Sequence, residues 1–243
     1  MRIRAAVALA IALAGVACRG TSLFRQYEYE EEVYLSLDGT ATVYVNSSVP
    51  ALDALRGTSF STAPNARVDR DQVRALYSSP STHVTWVRES RRNNRRFVHV
   101  RLEAHDITRL ASVAPFAWSQ YTFRNDGDEY AYRQVIGSAA GKDVGRVGWT
   151  GRELVAFRLH LPSKINFHNS GTDVRRGNIL VWEQPLTDRL HGVPLTLEAR
   201  MQSQSILYRT LWLFALTFAA VVIGFVTVIW WVLRRGAKHA ETV

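Results

Sequence analysis

Four arginines, Arg91, Arg92, Arg95 and Arg96, flank the pair Asn93-Asn94. A guanidinium is planar and offers a fork of N–H donors, so it meets a phosphate or carboxylate through two parallel hydrogen bonds. Four of them at one turn make a candidate site for anionic headgroups. The same residues also read as a solvated turn in an arginine-biased chain, which has 27 Arg against 3 Lys. Glu28, Glu30, Glu31 and Glu32 form a patch of opposite sign. They read as the polar face and edge of a strand.

The second reactive group is the thiol of Cys18. It is the one cysteine among 243 residues, so neither an internal disulfide nor a cysteine-rich zinc site is available. It follows Leu13-Ala14-Gly15-Val16-Ala17, where a small residue stands before the cysteine as in a lipidation signal. Cys18 is therefore the expected lipidation site. The alternative is a signal peptide cut at Ala17 or soon after, or an uncleaved anchor.

Catalytic constellations are not evident. Gly137-Ser138-Ala139-Ala140-Gly141-Lys142-Asp143 has a phosphate-loop flavour but the wrong spacing, and Asp143 stands where a magnesium-binding hydroxyl belongs. Histidines 83, 99, 105, 160, 168 and 191 are scattered rather than set at a metal-ligand spacing. Asp126 and Asp128 around Gly127 suggest calcium only superficially, because a hairpin turn explains them more simply. No catalysis, no cofactor and no metal are expected.

The elements that must position these groups begin with the two ends. Arg2 and Arg4 precede the uncharged run Ala5 to Val16, which has the length of a signal-peptide core and is too short for an ordinary span. Leu211 to Leu233 carries no charge for 23 residues. At 1.5 Å per residue it covers about 34 Å, enough for the hydrocarbon core. Trp212, Trp230 and Trp231 stand at its ends as interfacial anchors, and Arg234, Arg235 and Lys238 follow. The positive-inside rule then puts the C-terminus in the cytoplasm. The organisation expected is a signal peptide (1–17), a lipidated N-terminus (18–23), an exported domain (24–205), a transmembrane helix (206–235) and a cytoplasmic tail (236–243). The exported part holds about five more basic than acidic residues. The place expected is the bacterial cytoplasmic membrane, crossed once, with the main domain on its outer side.

Within the exported part the pattern alternates with period two, the mark of half-buried strands. Strands are predicted at Tyr27 to Leu37, Thr40 to Asn46, Val84 to Arg91, Phe97 to Glu103, Ser119 to Phe123 and Tyr130 to Val135. Further strands follow at Leu154 to Leu161, Asn178 to Trp182 and Pro194 to Ala199. Asp38-Gly39, Asn93-Asn94 and Asn125-Asp126-Gly127-Asp128 mark three hairpins. Short helices are predicted at Pro50 to Arg56, Val68 to Tyr77, from an Asp106 cap through Leu110 to Val113, and at Leu186 to Leu190. The fold class is α+β, with an antiparallel sheet of hairpins, short helices and one C-terminal membrane helix. Gly137 to Gly151, which also holds Gly141, Gly145 and Gly148, is the candidate mobile loop. Most of Trp86, Trp118, Trp149 and Trp182 are expected in the core, as strand aromatics usually are, and any exposed ones are expected to serve a partner surface.

With Ala14-Gly15-Val16-Ala17-Cys18, the opening hairpin Tyr29 to Val45 with its Leu37-Asp38-Gly39 turn, and Leu211 to Arg235, the plan resembles the LppM-like group of bacterial envelope lipoproteins. The resemblance implies an envelope role in lipid or glycolipid handling and transfers no catalytic residue. The function expected is a membrane-anchored module that binds a lipid, glycolipid or other anionic envelope component. The alternative is a scaffold or interaction subunit of an inner-membrane complex. The partners expected are the lipid bilayer and a bound lipid or inner-membrane protein, and not nucleic acid. An apolar cavity between sheet and helix would fit a bound lipid; a solid core would oppose it.

Overall fold

A computed structural model describes residues 25–63, 65–171 and 178–240. The predicted signal peptide and the predicted lipidated segment with Cys18 lie outside the described residues. The chain is α+β. Its order is β1 (Tyr27–Leu35), β2 (Ala41–Ser48), α1 (Val49–Arg56), α2 (Arg70–Tyr77), β3 (Thr82–Arg92) and β4 (Arg95–Ala104). Two 3-10 turns follow (Ile107–Ser112 and Ala114–Phe116), then β5 (Ser119–Asp126), β6 (Glu129–Ile136), β7 (Leu154–His160) and β8 (Ser163–His168). The chain ends with β9 (Ile179–Pro185), α3 (Leu186–Leu190), β10 (Leu195–Ser205) and α4 (Ile206–Ala240).

The strands form two sheets, of order β3-β4-β2-β1-β7-β9 and β5-β6-β10-β8. Pairing is antiparallel throughout except for β1 with β7, which run parallel with Glu31 opposite Phe157. The expected antiparallel pairing of hairpins is present, in two sheets, and one parallel pair lies at the centre of the larger. A strand bordered by β2 on one side needs a distant partner on the other, and the long excursion from 36 to 153 returns β7 in the same direction. β8 is not among the predicted strands, although Ile165 and Phe167 alternate with Lys164, Asn166 and His168 over its six residues; β10 holds it as a neighbour.

Turn chemistry sets the registers. Asn93 and Asn94 both have positive φ, 49° and 59°, between Arg92 and Arg95 paired across the strands. That is the I′ geometry whose twist suits a two-residue hairpin, and asparagine tolerates it better than most side chains. At the end of β2 the Ser48 side chain accepts a bond from the Ala51 amide, so the strand passes straight into α1, with Pro50 in its first turn. Gly57 closes α1 in the left-handed conformation, φ 72°, its amide bonded to the Asp53 carbonyl. The Asp106 cap is present too, but over a 3-10 turn rather than an α-helix.

A single core fills the space between the inner face of the six-stranded sheet, the short helices and the four-stranded sheet. Leu55, Tyr77, Leu102, Leu110, Phe116 and Phe157 are all fully buried in it. At ~25 cal/mol per Å², side chains of this size contribute roughly 2 kcal/mol each by burial. The volume between sheet and helices is therefore occupied by the protein's own side chains.

α4 continues β10 without an intervening residue. Its segment Thr210–Arg234 has a mean hydropathy of 2.5 over its most apolar window, with none of that window buried. Twenty-five residues rise about 37 Å, enough to cross a membrane. Thr217 and Thr227 return their hydroxyls to the carbonyls four residues before, at 2.8 and 2.7 Å, so neither exposes an unsatisfied donor to an apolar surrounding.

Candidate functional site

The β3–β4 tip does not present four equivalent arginines. Arg95 is buried. It donates to Glu28 Oε1 at 2.9 Å and to the carbonyls of Val147 and Gly148 at 3.2 and 3.0 Å. Arg96 pairs with Glu89 at 2.7 Å. Arg92 donates to the Tyr27 carbonyl at 2.6 Å and lies over the Phe97 ring. Arg91 bonds the Asn94 side chain at 2.7 Å and stays exposed. The sequence brings these residues to one place, but two of the four charges are balanced internally.

Beside the tip lies a cleft of about 410 Å³ whose polar lining is Thr62, Asn93, Asn94, Arg95, Arg146 and the backbone of Val147 and Gly148. Arg146 comes from the loop 137–151, 50 residues away, and is exposed without a hydrogen bond or ion pair among the described residues. Sequence reading missed it, because no spacing links it to the hairpin. The contact that joins them is the Arg95 guanidinium on the loop's carbonyls.

This loop is tied at more than one point. The amides of Ala140 and Gly141 donate to the carbonyls of Leu55 and Ala54 at the end of α1, both at 3.0 Å. Lys142 donates to the Thr58 carbonyl at 2.6 Å. These bonds dock residues 140–142 of the expected mobile loop on the helix end. They also occupy two amides of the phosphate-loop-like stretch, those of Ala140 and Gly141.

The glutamate patch separates into two faces. β1 is central in its sheet, not an edge, so its inward residues are buried. Glu30 and Glu32 face out and pair with Arg158 and with His160 Nε2, the latter at 2.5 Å. Glu31 faces in, 1% exposed. It accepts bonds from Tyr29 at 3.0 Å and from Tyr121 and Gln134 at 2.9 Å. Three buried tyrosines that feel this carboxylate, Tyr29, Tyr121 and Tyr132, are all held far above the ordinary phenol range, by burial first and by the Glu31 charge. A Glu at an inward position between Tyr29 and Val33 was the available signal.

The histidines make local bonds: His99 to Asn46 and Ser90, and His168 to Ser170. Of the four tryptophans, Trp182 is buried, while Trp118 and Trp149 pack partly buried on the core. Trp86 instead stands on the outer sheet face, in a row with Tyr44 and Tyr34. Trp212, Trp230 and Trp231 are exposed on α4, with the Arg234 guanidinium over the Trp230 ring. Arg235 lies in the same helix.

Register places the hairpin tip relative to α4. The Tyr27 end of β1 meets the tip through Arg92. The other end of β1, at Tyr34, stacks on His160, the last residue of β7. Only Leu161 and Pro162 separate His160 from Ser163, which pairs with Ser205, the residue before α4. The arginine tip and its cleft therefore stand at the end of the domain away from α4.

No family model matches the sequence, and no curated protein matches it. Among solved structures the chain is weakly similar to the folded domain of the Mycobacterium tuberculosis LppM protein, determined by NMR. The identity is 13%, the coverage 76% of this chain and 95% of that one, and the TM-score 0.42.

Proposed function

We propose that this chain is a membrane-anchored envelope lipoprotein whose outer domain takes the anionic group of a lipid, glycolipid or other envelope component at the cleft beside Arg91 and Arg146. The observation that supports it most is that cleft: an exposed, unpaired guanidinium from a distant loop faces a hairpin already rich in arginine. Anchoring rests on the Thr210–Arg234 helix running directly out of β10. With Arg234 and Arg235 at its far end, the helix leaves the C-terminus in the cytoplasm. Because the core is solid, the domain takes a headgroup rather than an acyl chain. Because the cleft stands away from α4, the bound group projects from the membrane surface instead of lying in it.

The test uses the full chain in zwitterionic nanodiscs, presented with separate vesicles of phosphatidylglycerol or of phosphatidylcholine. Capture of the anionic vesicles alone is expected, with loss of capture in Arg91→Ala combined with Arg146→Ala. Equal capture of both vesicles, or undiminished capture by the variant, overturns the reading. Intact mass beside Cys18→Ala reads the acylation.

A further inference from the structure

A second cluster of cations lies inside the domain. Arg56, the last residue of α1, has a side chain only 2% exposed. Its guanidinium carbon sits 2.9 Å from the centre of the Trp118 ring and 4.5 Å from that of Tyr29. Arg189, in α3, is fully buried and stands 5.4 Å from the same Trp118 ring. Arg189 donates one bond, to the Gly137 carbonyl at 2.9 Å. Among the described residues its Nε and Nη1, all three nitrogens of Arg56 and the Trp118 indole nitrogen are buried without a hydrogen bond of good geometry, the Tyr29 hydroxyl being the polar group closest in effect to Arg56.

Folded proteins rarely leave such donors empty. An uncompensated buried charge is among the costliest features a core can hold. Among the described residues the carboxylate nearest Arg56 is Glu31, 4.0 Å away, and its oxygens already accept from two tyrosines and a glutamine. The other buried carboxylates are engaged elsewhere: Glu28 with Arg95, Asp53 with Thr58 and the Phe60 amide, Glu153 with the Thr150 and Gly151 amides. Among the described residues Arg56 has one carboxylate, Glu31, at 4.0 Å, Arg189 makes no ion pair, and the unpartnered nitrogens of the two guanidiniums and the indole are six in number. A guanidinium stacked on an aromatic face keeps its in-plane donors available.

We infer that Arg56, Arg189 and the Trp118 indole N–H form a binding site for one phosphate group, either inorganic phosphate or the phosphodiester of a lipid headgroup. A phosphate supplies the acceptor oxygens and negative charge that the cluster lacks. The segment 137–141 runs from the Arg189 partner at Gly137 to the amides bonded to Leu55 and Ala54, next to Arg56. The group enters by displacing this segment. The site is separate from the cleft at the hairpin tip and stands on its own observations.

The test is calorimetric titration of the full chain in a non-ionic detergent, with inorganic phosphate and, separately, with short-chain phosphatidylglycerol, at matched ionic strength. Binding of at least one of the two is expected. Arg56→Gln and Arg189→Gln are each expected to weaken it about tenfold or more, since each removes charge-assisted bonds. Trp118→Phe keeps the ring under Arg56 and removes only the N–H; it serves where an arginine variant does not fold, and is expected to weaken binding severalfold. Binding of inorganic phosphate identifies free phosphate as a sufficient ligand, and binding of the lipid alone identifies the headgroup. Absence of both, or affinity unchanged in all folded variants, overturns the inference. Lipid binding that survives these variants and is lost in Arg91→Ala with Arg146→Ala refutes this site while leaving the hairpin cleft in place.

Discussion

The hydroxyl of Tyr121, on the four-stranded sheet, donates a 2.9 Å hydrogen bond to Oε1 of Glu31, on the six-stranded sheet. A buried carboxylate thereby joins the two layers. Charged hydrogen bonds of this kind are worth more than neutral ones in an interior of low polarity. Tyr121→Phe is expected to cost about 1.5–3 kcal/mol in urea unfolding. Combined with Tyr29→Phe, which removes another donor to the same carboxylate, the loss is expected to be non-additive by about 0.5 kcal/mol or more. Strict additivity would show that the two donors act independently.

Arg95 and Arg91 lie four residues apart in one hairpin yet have different duties. Arg95→Ala leaves Glu28 charged and buried without its cation. A loss of about 3–5 kcal/mol is expected in thermal or urea unfolding. Arg91→Ala removes an exposed side chain and is expected to stay within about 0.5 kcal/mol of the parent. Equal losses would place both residues in the same structural role.

A Cβ on Gly137 would stand 2.7 Å from the Trp118 carbonyl oxygen, which is backbone and cannot swing aside. Gly137→Ala is expected to destabilise by about 1–3 kcal/mol through this clash. It also shifts the carbonyl that Arg189 uses. Melting temperatures of the two chains check this.

Glu32 is held below its ordinary value of 4.5, chiefly by the hydrogen bond with His160. A carboxyl whose folded value is depressed stabilises the fold above its unfolded value and loses that contribution as the pH falls through the folded one. Stability is therefore expected to fall below about pH 4.5, with a shallower slope in Glu32→Gln. Urea midpoints measured between about pH 6 and pH 3 decide it. Parallel slopes for parent and variant would remove Glu32 from the account.

Local physics made much of the fold legible in the residues. Asn93-Asn94 and Asp38-Gly39 announce hairpins because few other pairs adopt their backbone angles. Ser48 and Pro50 announce the start of α1, and the uncharged run after Thr210 announces α4 through length and composition alone. The arginine cluster was visible for the same reason, as neighbours in sequence share a turn. Pairing between distant strands was not legible, because it depends on which faces bury against each other. The parallel β1–β7 pair moved Glu31 from an assumed polar edge to the centre of a core. Packing of the 137–151 loop brought Arg146 to the hairpin tip and Gly137 to Arg189. Only in three dimensions did Arg56, Arg189 and Trp118, spread over 134 residues of chain, become one cluster. Periodicity reports which side of a strand turns inward; the charges it meets there are set by the rest of the molecule.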